Sequence, residues 1–231
     1  MRLFAGDTET ANADRTPGGV CEVALIELTE DLEYVTHFES RIDPEMAICP
    51  GASGVHGITN DDVEDCPTLS EWGEIIHLRE FGLAAHNVEF DSTKLSGVFT
   101  IPITIDTLRL AKRVYTKAPN HKLSTLVYYL GLPRPGGNFH GAMTDTWALF
   151  YLLKQLAVDL EAPTFTQLSV LSNTPVLLEK FPNFGKHAGE DFDKVPKSYL
   201  EWCSRSLTEM DMDLKFTINK RLGIAHTYTT H

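Results

Sequence analysis

No stretch of this chain is apolar for long enough to cross a membrane. The longest such run, Trp147 to Leu153, is far below the roughly 20 residues a spanning helix needs. Cysteine is scarce: Cys21, Cys49, Cys66 and Cys203 lie at no metal-type spacing and have no obvious partners. That argues against a disulfide scaffold or a thiolate metal site and leads us to expect reduced thiols. Internal repeats and low-complexity tracts are absent, which excludes a repeat array. An excess of positive charge is missing too: 20 Lys and Arg stand against 32 Asp and Glu, a formal net charge of -12, where a nucleic-acid-binding module is usually basic. With a candidate site acid as early as Asp7, no cleaved leader is expected, and the expectation is a cytoplasmic protein without a membrane partner.

What the chain does contain is enough sequence for a full domain core with something left over. Apolar runs and alternation predict strands over about Arg2 to Asp7, Val20 to Leu28, Tyr34 to Ile42, Gly82 to His86 and Ile103 to Ile105. Helices are predicted over Leu69 to Arg79 and Val88 to Val98, with several more after the last strand. The first three strands are joined by loops too short for helical crossovers, so they should pair antiparallel. The result is an α/β fold with a mixed five-stranded sheet flanked by helices. Ala162-Pro163 and Asn173-Thr174-Pro175 interrupt the helical pattern. The expected organisation is therefore a catalytic domain over 1–160, a linker over 161–180 and a small C-terminal domain over 181–231.

Four carboxylates and one histidine stand out by their local contexts. The first strand leads into Asp7, with Glu9 two residues on, and residues i and i+2 in extended chain leave the same face, about 6.6 Å apart at their α-carbons. Together they can grip one divalent cation or straddle two. Asp91 falls in the first turn of the helix after the strand Phe81 to Ala85. A strand end followed by a helix start is where open α/β sheets place functional groups. His140 and Asp145 precede a strongly apolar helix, and Asp145 opens it. Each fragment alone has an ordinary explanation: a solvated strand face, or an acid complementing a helix dipole. Their joint occurrence in this order has none.

The fragments Asp7-Thr8-Glu9-Thr10, Val55-His56-Gly57-Ile58-Thr59, His86-Asn87-x-x-Phe90-Asp91, and His140 five residues before Asp145 resemble the DEDD superfamily of 3′-to-5′ exonucleases, in its histidine-type branch (DEDDh). The tyrosine-type branch carries a Tyr four residues before the last Asp, and Gly141 stands there. Phe184-Gly185-Lys186-His187-Ala188-Gly189, Val195-Pro196 and Tyr199-Leu200-x-Trp202 are similar to the C-terminal segment of exodeoxyribonuclease X-like proteins. The resemblance implies a ribonuclease-H-like sheet and a nuclease acting on DNA 3′ ends, single-stranded or duplex. It departs in two places: Ala5-Gly6 replaces bulky strand residues, and no Gly follows Asp-Thr-Glu-Thr.

Four carboxylates in one pocket repel each other and ask for cations. An all-oxygen donor set suits two Mg²⁺ or Mn²⁺ rather than Zn²⁺, able to stabilise both the attacking and the leaving oxygen at phosphorus. Asp7, Glu9, Asp91 and Asp145 are the expected metal ligands, with Asp7 the best candidate to bridge. His140 is the expected general base, an imidazole suiting proton transfer near neutral pH. The resemblance further implies that Thr8, Thr10, His56, Ile58 and Asn87 line the terminal nucleotide pocket, although His56 to Thr59 equally fits a turn before a Thr-capped helix starting near Asn60.

The acidic balance is unevenly distributed. Between Thr107 and Thr144 there are six basic residues (Arg109, Lys112, Arg113, Lys117, Lys122, Arg134) and no acid. Arg109, Lys112 and Arg113 share a helical face and, with Lys122, are candidates for a DNA-backbone track, against a plain solvated helix. Tyr199, Leu200, Trp202 and Cys203 at helical spacing read as core of the C-terminal domain. Alternatives to a DNA exonuclease are an exoribonuclease of the same superfamily acting on RNA, and a non-catalytic DNA-binding or polymerase accessory protein. Protein partners, oligomeric state and pathway, DNA repair or otherwise, are not legible.

Overall fold

The computed structural model describes residues 1–133, 136, 140–207 and 210–224. Arg134, one of the six basic residues above, lies outside them. The chain divides into two compact units, Met1–Asn173 and Thr174–His231.

In the first unit β1 (Arg2–Thr10), β2 (Val20–Leu28), β3 (Tyr34–Arg41), β4 (Phe81–Ala85) and β5 (Thr104–Asp106) form a sheet of order β3-β2-β1-β4-β5. The β1–β2 and β2–β3 pairs are antiparallel, as the short connections require, and the β1–β4 and β4–β5 pairs are parallel. This is the mixed, ribonuclease-H-like arrangement. The strand alternation of two splits the core. Leu3, Ala5, Ile26 and Leu28 face one way and pack with Leu110, Leu126, Leu149, Leu152 and Phe165, which come from α4 (Thr107–Val114), α5 (Leu123–Leu130), α6 (Ala142–Asp159) and α7 (Phe165–Asn173). Phe4, Val23, Leu25, Phe81 and Leu83 face the other way and pack with Leu69, Trp72, Val88 and Leu95 of α2 (Leu69–Ile75) and α3 (Val88–Leu95). Each fully buried large side chain in these clusters contributes about 1.5–3 kcal/mol.

Several element ends differ from expectation for local reasons. β1 runs on to Thr10 because its polar end pairs with β2, Thr8 opposite Val23 and Glu9 opposite Glu22. α2 stops at Ile75 rather than near Arg79: His77 takes a left-handed φ of 53°, and the Leu78 N–H returns to the Gly73 carbonyl at 2.9 Å. α3 stops at Leu95, short of Val98. Helix α1 (Pro50–His56) starts with Pro at its first turn and ends at Gly57, φ 78°, the left-handed ending that glycine permits. Thr59 and Asp62 then cap one another around a short 3-10 turn, Asn60–Asp62, which is the Thr-capped start near Asn60.

Residues 161–180, expected as a linker, contain α7, whose Phe165 and Leu168 are fully buried in the first unit. Thr164 and Gln167 start this helix with a reciprocal cap, so the Ala162-Pro163 break separates two helices of one domain. The second unit packs Phe181, Phe192, Val195, Leu200, Cys203, Leu214 and Ile218 together, using α8 (Lys197–Ser206) and α9 (Met212–Leu222). One expectation is corrected here: Leu200 and Cys203 are buried, but Trp202 is 48% exposed. The inward seam of α8 runs through Leu200 and Cys203, leaving Trp202 on the flank, stacked on Tyr199 at 5.5 Å. All four cysteines are free thiols. Among the described residues no helix is long and apolar enough to cross a membrane.

Candidate active site

The odd residues of β1 carry the site. Leu3 and Ala5 are buried in the core beneath α4–α7; two and four residues on, the same face presents Asp7 and Glu9. There α6 begins, and its first turn delivers Asp145. Carboxylate oxygens of Asp7, Glu9 and Asp145 all lie within 4.8 Å of one another. Residues 138 positions apart in sequence meet because α6 lies across β1 and β2 with its N-terminus over the polar end of β1.

Asp91 stands beside this group in the first turn of α3. Its Oδ1 accepts the Thr8 N–H at 3.1 Å and the Thr8 hydroxyl at 2.8 Å. The β1–β4 ladder ends at Ala5 opposite Ala84, so the amide of Thr8 is available for this bond. Asp91 is 5% exposed, and its charge is felt strongly at Asp7.

The acids of the cluster raise one another's proton affinity. Burial, and then the charges of Asp91, Asp145, Glu9 and Glu22, raise the Asp7 carboxyl well above the usual carboxylate range. Burial first, with Asp145, Glu22 and Asp91, pushes Glu9 up to about 7. Asp91 is pushed to about 7 by burial, against the opposing effect of the Thr8 bonds. Asp145 is raised by burial and pulled back by the His140 N–H and charge. Asp145 Oδ1 is also buried without a hydrogen-bond partner among the described residues, an arrangement that ordinarily costs about 1–3 kcal/mol. Crowded, partly desolvated carboxylates with an orphaned oxygen fit hard divalent cations that prefer oxygen ligands.

His140 is exposed and has a left-handed φ of 76°. Its backbone N–H donates to Asp145 Oδ2 at 3.2 Å, so the turn carrying the imidazole also orients the acid. Asn87, exposed between β4 and α3, is likewise left-handed, φ 85°, a conformation Asn tolerates. Two non-glycine residues held there, each beside a cluster acid, mark backbone strain at the site.

The expected nucleotide-pocket residues separate. Thr8 is committed to Asp91, and the Thr10 hydroxyl donates to the Asn12 carbonyl at 2.7 Å. His56 accepts the Ile58 N–H on Nδ1 at 3.0 Å, so its Nε2 is the donor to the Thr10 carbonyl, 3.2 Å away. His56 therefore ties the 50–63 segment to the strand that bears Glu9. Ile58 is 1% exposed and packs with Ala11, Cys21, Ile48 and Val63; its side chain supports that segment and does not form pocket surface. The face expected to track DNA is also divided. Arg109 is buried at 9% exposure, Arg113 donates to the Leu171 carbonyl of α7 at 2.5 Å, and Lys112 and Lys122 face solvent. Helical spacing shows which residues share a face, not which face meets water.

Two groups near the site escaped the sequence reading. Lys94, 1% exposed, reaches from α3 to Asp14 at 2.7 Å and Asn12 at 3.4 Å. It anchors the loop after β1 where a glycine was missed. Glu22, across the ladder from Glu9, accepts the Ala142 N–H of α6 at 2.8 Å and the Arg41 Nε at 3.3 Å. A lone acid inside the apolar Val20–Ile26 run was the available signal.

Residues 4–153 match the sequence profile of the RNase T family, described as exonuclease. The chain is 29% identical over 171 residues to a DNA polymerase III subunit epsilon-like protein of Rhodobacter capsulatus, covering 69% of this chain but 24% of that protein. It is 26% identical over 171 residues to the DNA polymerase III subunit epsilon of Buchnera aphidicola, covering 66% of this chain and 72% of that one. Among solved structures, exonuclease X in complex with 5′ overhanging duplex DNA superposes with a TM-score of 0.61 at 24% identity, over 74% of this chain and 99% of that one. This last likeness is one of fold.

Proposed function

The chain belongs to the RNase T family of exonucleases, within the DEDD superfamily of 3′-to-5′ enzymes, and we propose that it is a divalent-metal-dependent 3′-to-5′ exodeoxyribonuclease releasing mononucleotides from DNA ends. The observation that carries this reading is the convergence of Asp7, Glu9 and Asp145 within 4.8 Å, with Asp145 Oδ1 buried and unpartnered. Asp7, Glu9, Asp91 and Asp145 would hold Mg²⁺ or Mn²⁺, two ions in the scheme we favour. Bound there, the cations supply positive charge against the oxygens that attack and leave phosphorus.

The remaining work falls to the chain itself. His140 accepts the proton of the attacking water, and its exposed position leaves the imidazole accessible to solvent and substrate. Thr8 holds Asp91 by two bonds to one oxygen, so the other oxygen of that carboxylate is the one we assign to a cation. Asn87 and the main chain near Thr10 are assigned to the terminal nucleotide, and the exposed Lys112 and Lys122 to backbone phosphates. DNA is favoured over RNA because the relatives include DNA polymerase III epsilon subunits and a fold neighbour was solved with duplex DNA.

The test is mononucleotide release from 3′-labelled single-stranded DNA with Mg²⁺, Mn²⁺ or EDTA, against a matched RNA oligomer and the Asp7→Ala variant. Metal-dependent release from DNA, lost in Asp7→Ala, supports the proposal. Release from RNA alone would replace the substrate, and no release from either would leave a binding protein.

A further inference from the structure

We propose that Glu22 is a positioning residue for the acidic cluster: by holding the start of α6, it sets where Asp145 stands relative to Asp7 and Glu9. The inference rests on reading that cluster as a divalent-cation site.

Glu22 lies directly opposite Glu9 in the β1–β2 ladder, and its charge adds to the repulsion felt by both Asp7 and Glu9. Like charges at opposed positions of a ladder destabilise it, so a strand that keeps an acid here needs a compensating contact. The contact is the N-terminus of α6. Its cap residue, Gly141, has no side chain to accept a helix N–H, and the buried Ala142 amide is met by Glu22 Oε2 at 2.8 Å. A carboxylate at the positive end of an 18-residue helix is favoured by the helix dipole and by a charge-assisted hydrogen bond. Arg41 on β3 holds the other oxygen at 3.3 Å, fixing the carboxylate from its outer side.

The geometric consequence runs through one helical turn. The Asp145 N–H bonds the Gly141 carbonyl at 3.0 Å, so Asp145 moves with the first turn that Glu22 clamps. A second bond braces the same turn against β2: the buried Thr146 hydroxyl lies 2.7 Å from the Ala142 carbonyl and 3.3 Å from that of Ala24. Glu22 thus adjusts a cation ligand from a position that contributes no oxygen to the three-carboxylate group.

Two substitutions separate reach from charge. Glu22→Gln keeps an acceptor oxygen at the same reach and removes the charge; Glu22→Asp keeps the charge and withdraws it by one methylene. Mn²⁺ affinity of the full chain is measured by titration calorimetry, beside melting in EDTA and steady-state nucleotide release. Glu22→Asp is expected to bind Mn²⁺ about tenfold more weakly than the native protein and more weakly than Glu22→Gln, with the loss of activity in kcat rather than in KM for DNA. Native Mn²⁺ affinity in Glu22→Asp, or a Glu22→Gln loss equal to or larger than that of Glu22→Asp, would overturn the proposal. So would a lowered melting temperature with affinity unchanged, which is the mark of a purely structural cap. If the native protein binds Mn²⁺ but releases no nucleotide, the nuclease reading fails, while the calorimetry still decides the role of Glu22.

Discussion

Thr8 gives both of its donors, backbone N–H and hydroxyl, to a single oxygen of Asp91, at 3.1 and 2.8 Å. The two residues are 83 positions apart, and the paired bonds join β1 to α3 just beyond the point where the β1–β4 ladder ends. They also act on the acid's proton affinity, lowering it against the burial that raises it to about 7.

Thr8→Val should therefore raise the Asp91 carboxyl further while keeping the β-branched shape that the strand accommodates. Protons then compete more strongly with cations for the Asp91 carboxylate. The Mn²⁺ concentration giving half-maximal activity should rise in the variant, with a larger increase near pH 6 than at about pH 8.5. The lost hydroxyl bond should cost about 1 kcal/mol in a urea melt. An increase that is the same at both pH values would mean that the hydroxyl acts on geometry alone.

The cluster as a whole makes metal-free stability depend on pH in an unusual direction. Glu9 and Asp91 rise from ordinary values of 4.5 and 3.8 to about 7 in the folded chain, and Asp7 and Asp145 move the same way. A folded pKa above the unfolded one gives stability that is present below the unfolded value and lost as pH rises through the folded one. In EDTA the melting temperature should fall between about pH 5 and about pH 8. Mg²⁺ or Mn²⁺ at the upper end should restore it, because ligand binding to the folded state alone stabilises that state. Asp7→Asn should flatten the EDTA slope; an equal slope in that variant would place its origin outside the cluster.

Gly6 shows how a departure from the family pattern is absorbed. A methyl group there would stand 2.5 Å from Leu25 Cδ2, 3.1 Å from Leu83 Cδ1 and 3.2 Å from the Ala24 carbonyl, so neighbouring leucines already fill the volume that a bulkier strand residue would supply. Gly6→Val should cost about 1–3 kcal/mol through overpacking. Combined with Leu25→Ala, it should cost less than the sum of the two single changes, since the residues share one space. Strict additivity in denaturant melts would show that the strain lies in the backbone and not in the Leu25 contact.

What was legible followed from periodicity. The five strands, the antiparallel start and the common face of Asp7 and Glu9 all rest on side chains alternating along a strand, and Asp91 and Asp145 fell at helix starts as their flanking apolar runs implied. What was not legible depends on the partner. Arg109 is buried because α4 turns that side toward its neighbours, and α7 was hidden behind a Pro that separates two helices of the same domain. Glu22 accepts its bond from an amide 120 residues away, a relation no local spacing encodes. Ile58 likewise belongs to a small cluster whose members, Ala11 to Val63, come together only after folding.

His140 allows a clean separation of side chain from backbone. Its N–H, not its ring, supplies the bond to Asp145 Oδ2, and an alanine at its left-handed φ of 76° still carries the Cβ that strains that conformation. His140→Ala therefore retains both the bond and the strain and removes only the imidazole. If that imidazole is the general base, single-turnover release should slow by about 10²–10⁴-fold, while Mn²⁺ affinity stays native and melting in EDTA is little changed. A Gly at the same position would relax the left-handed turn and confuse orientation with proton transfer, so Ala is the informative choice. Native single-turnover rates in His140→Ala would remove the histidine from the chemistry and leave its backbone amide as its contribution to the site.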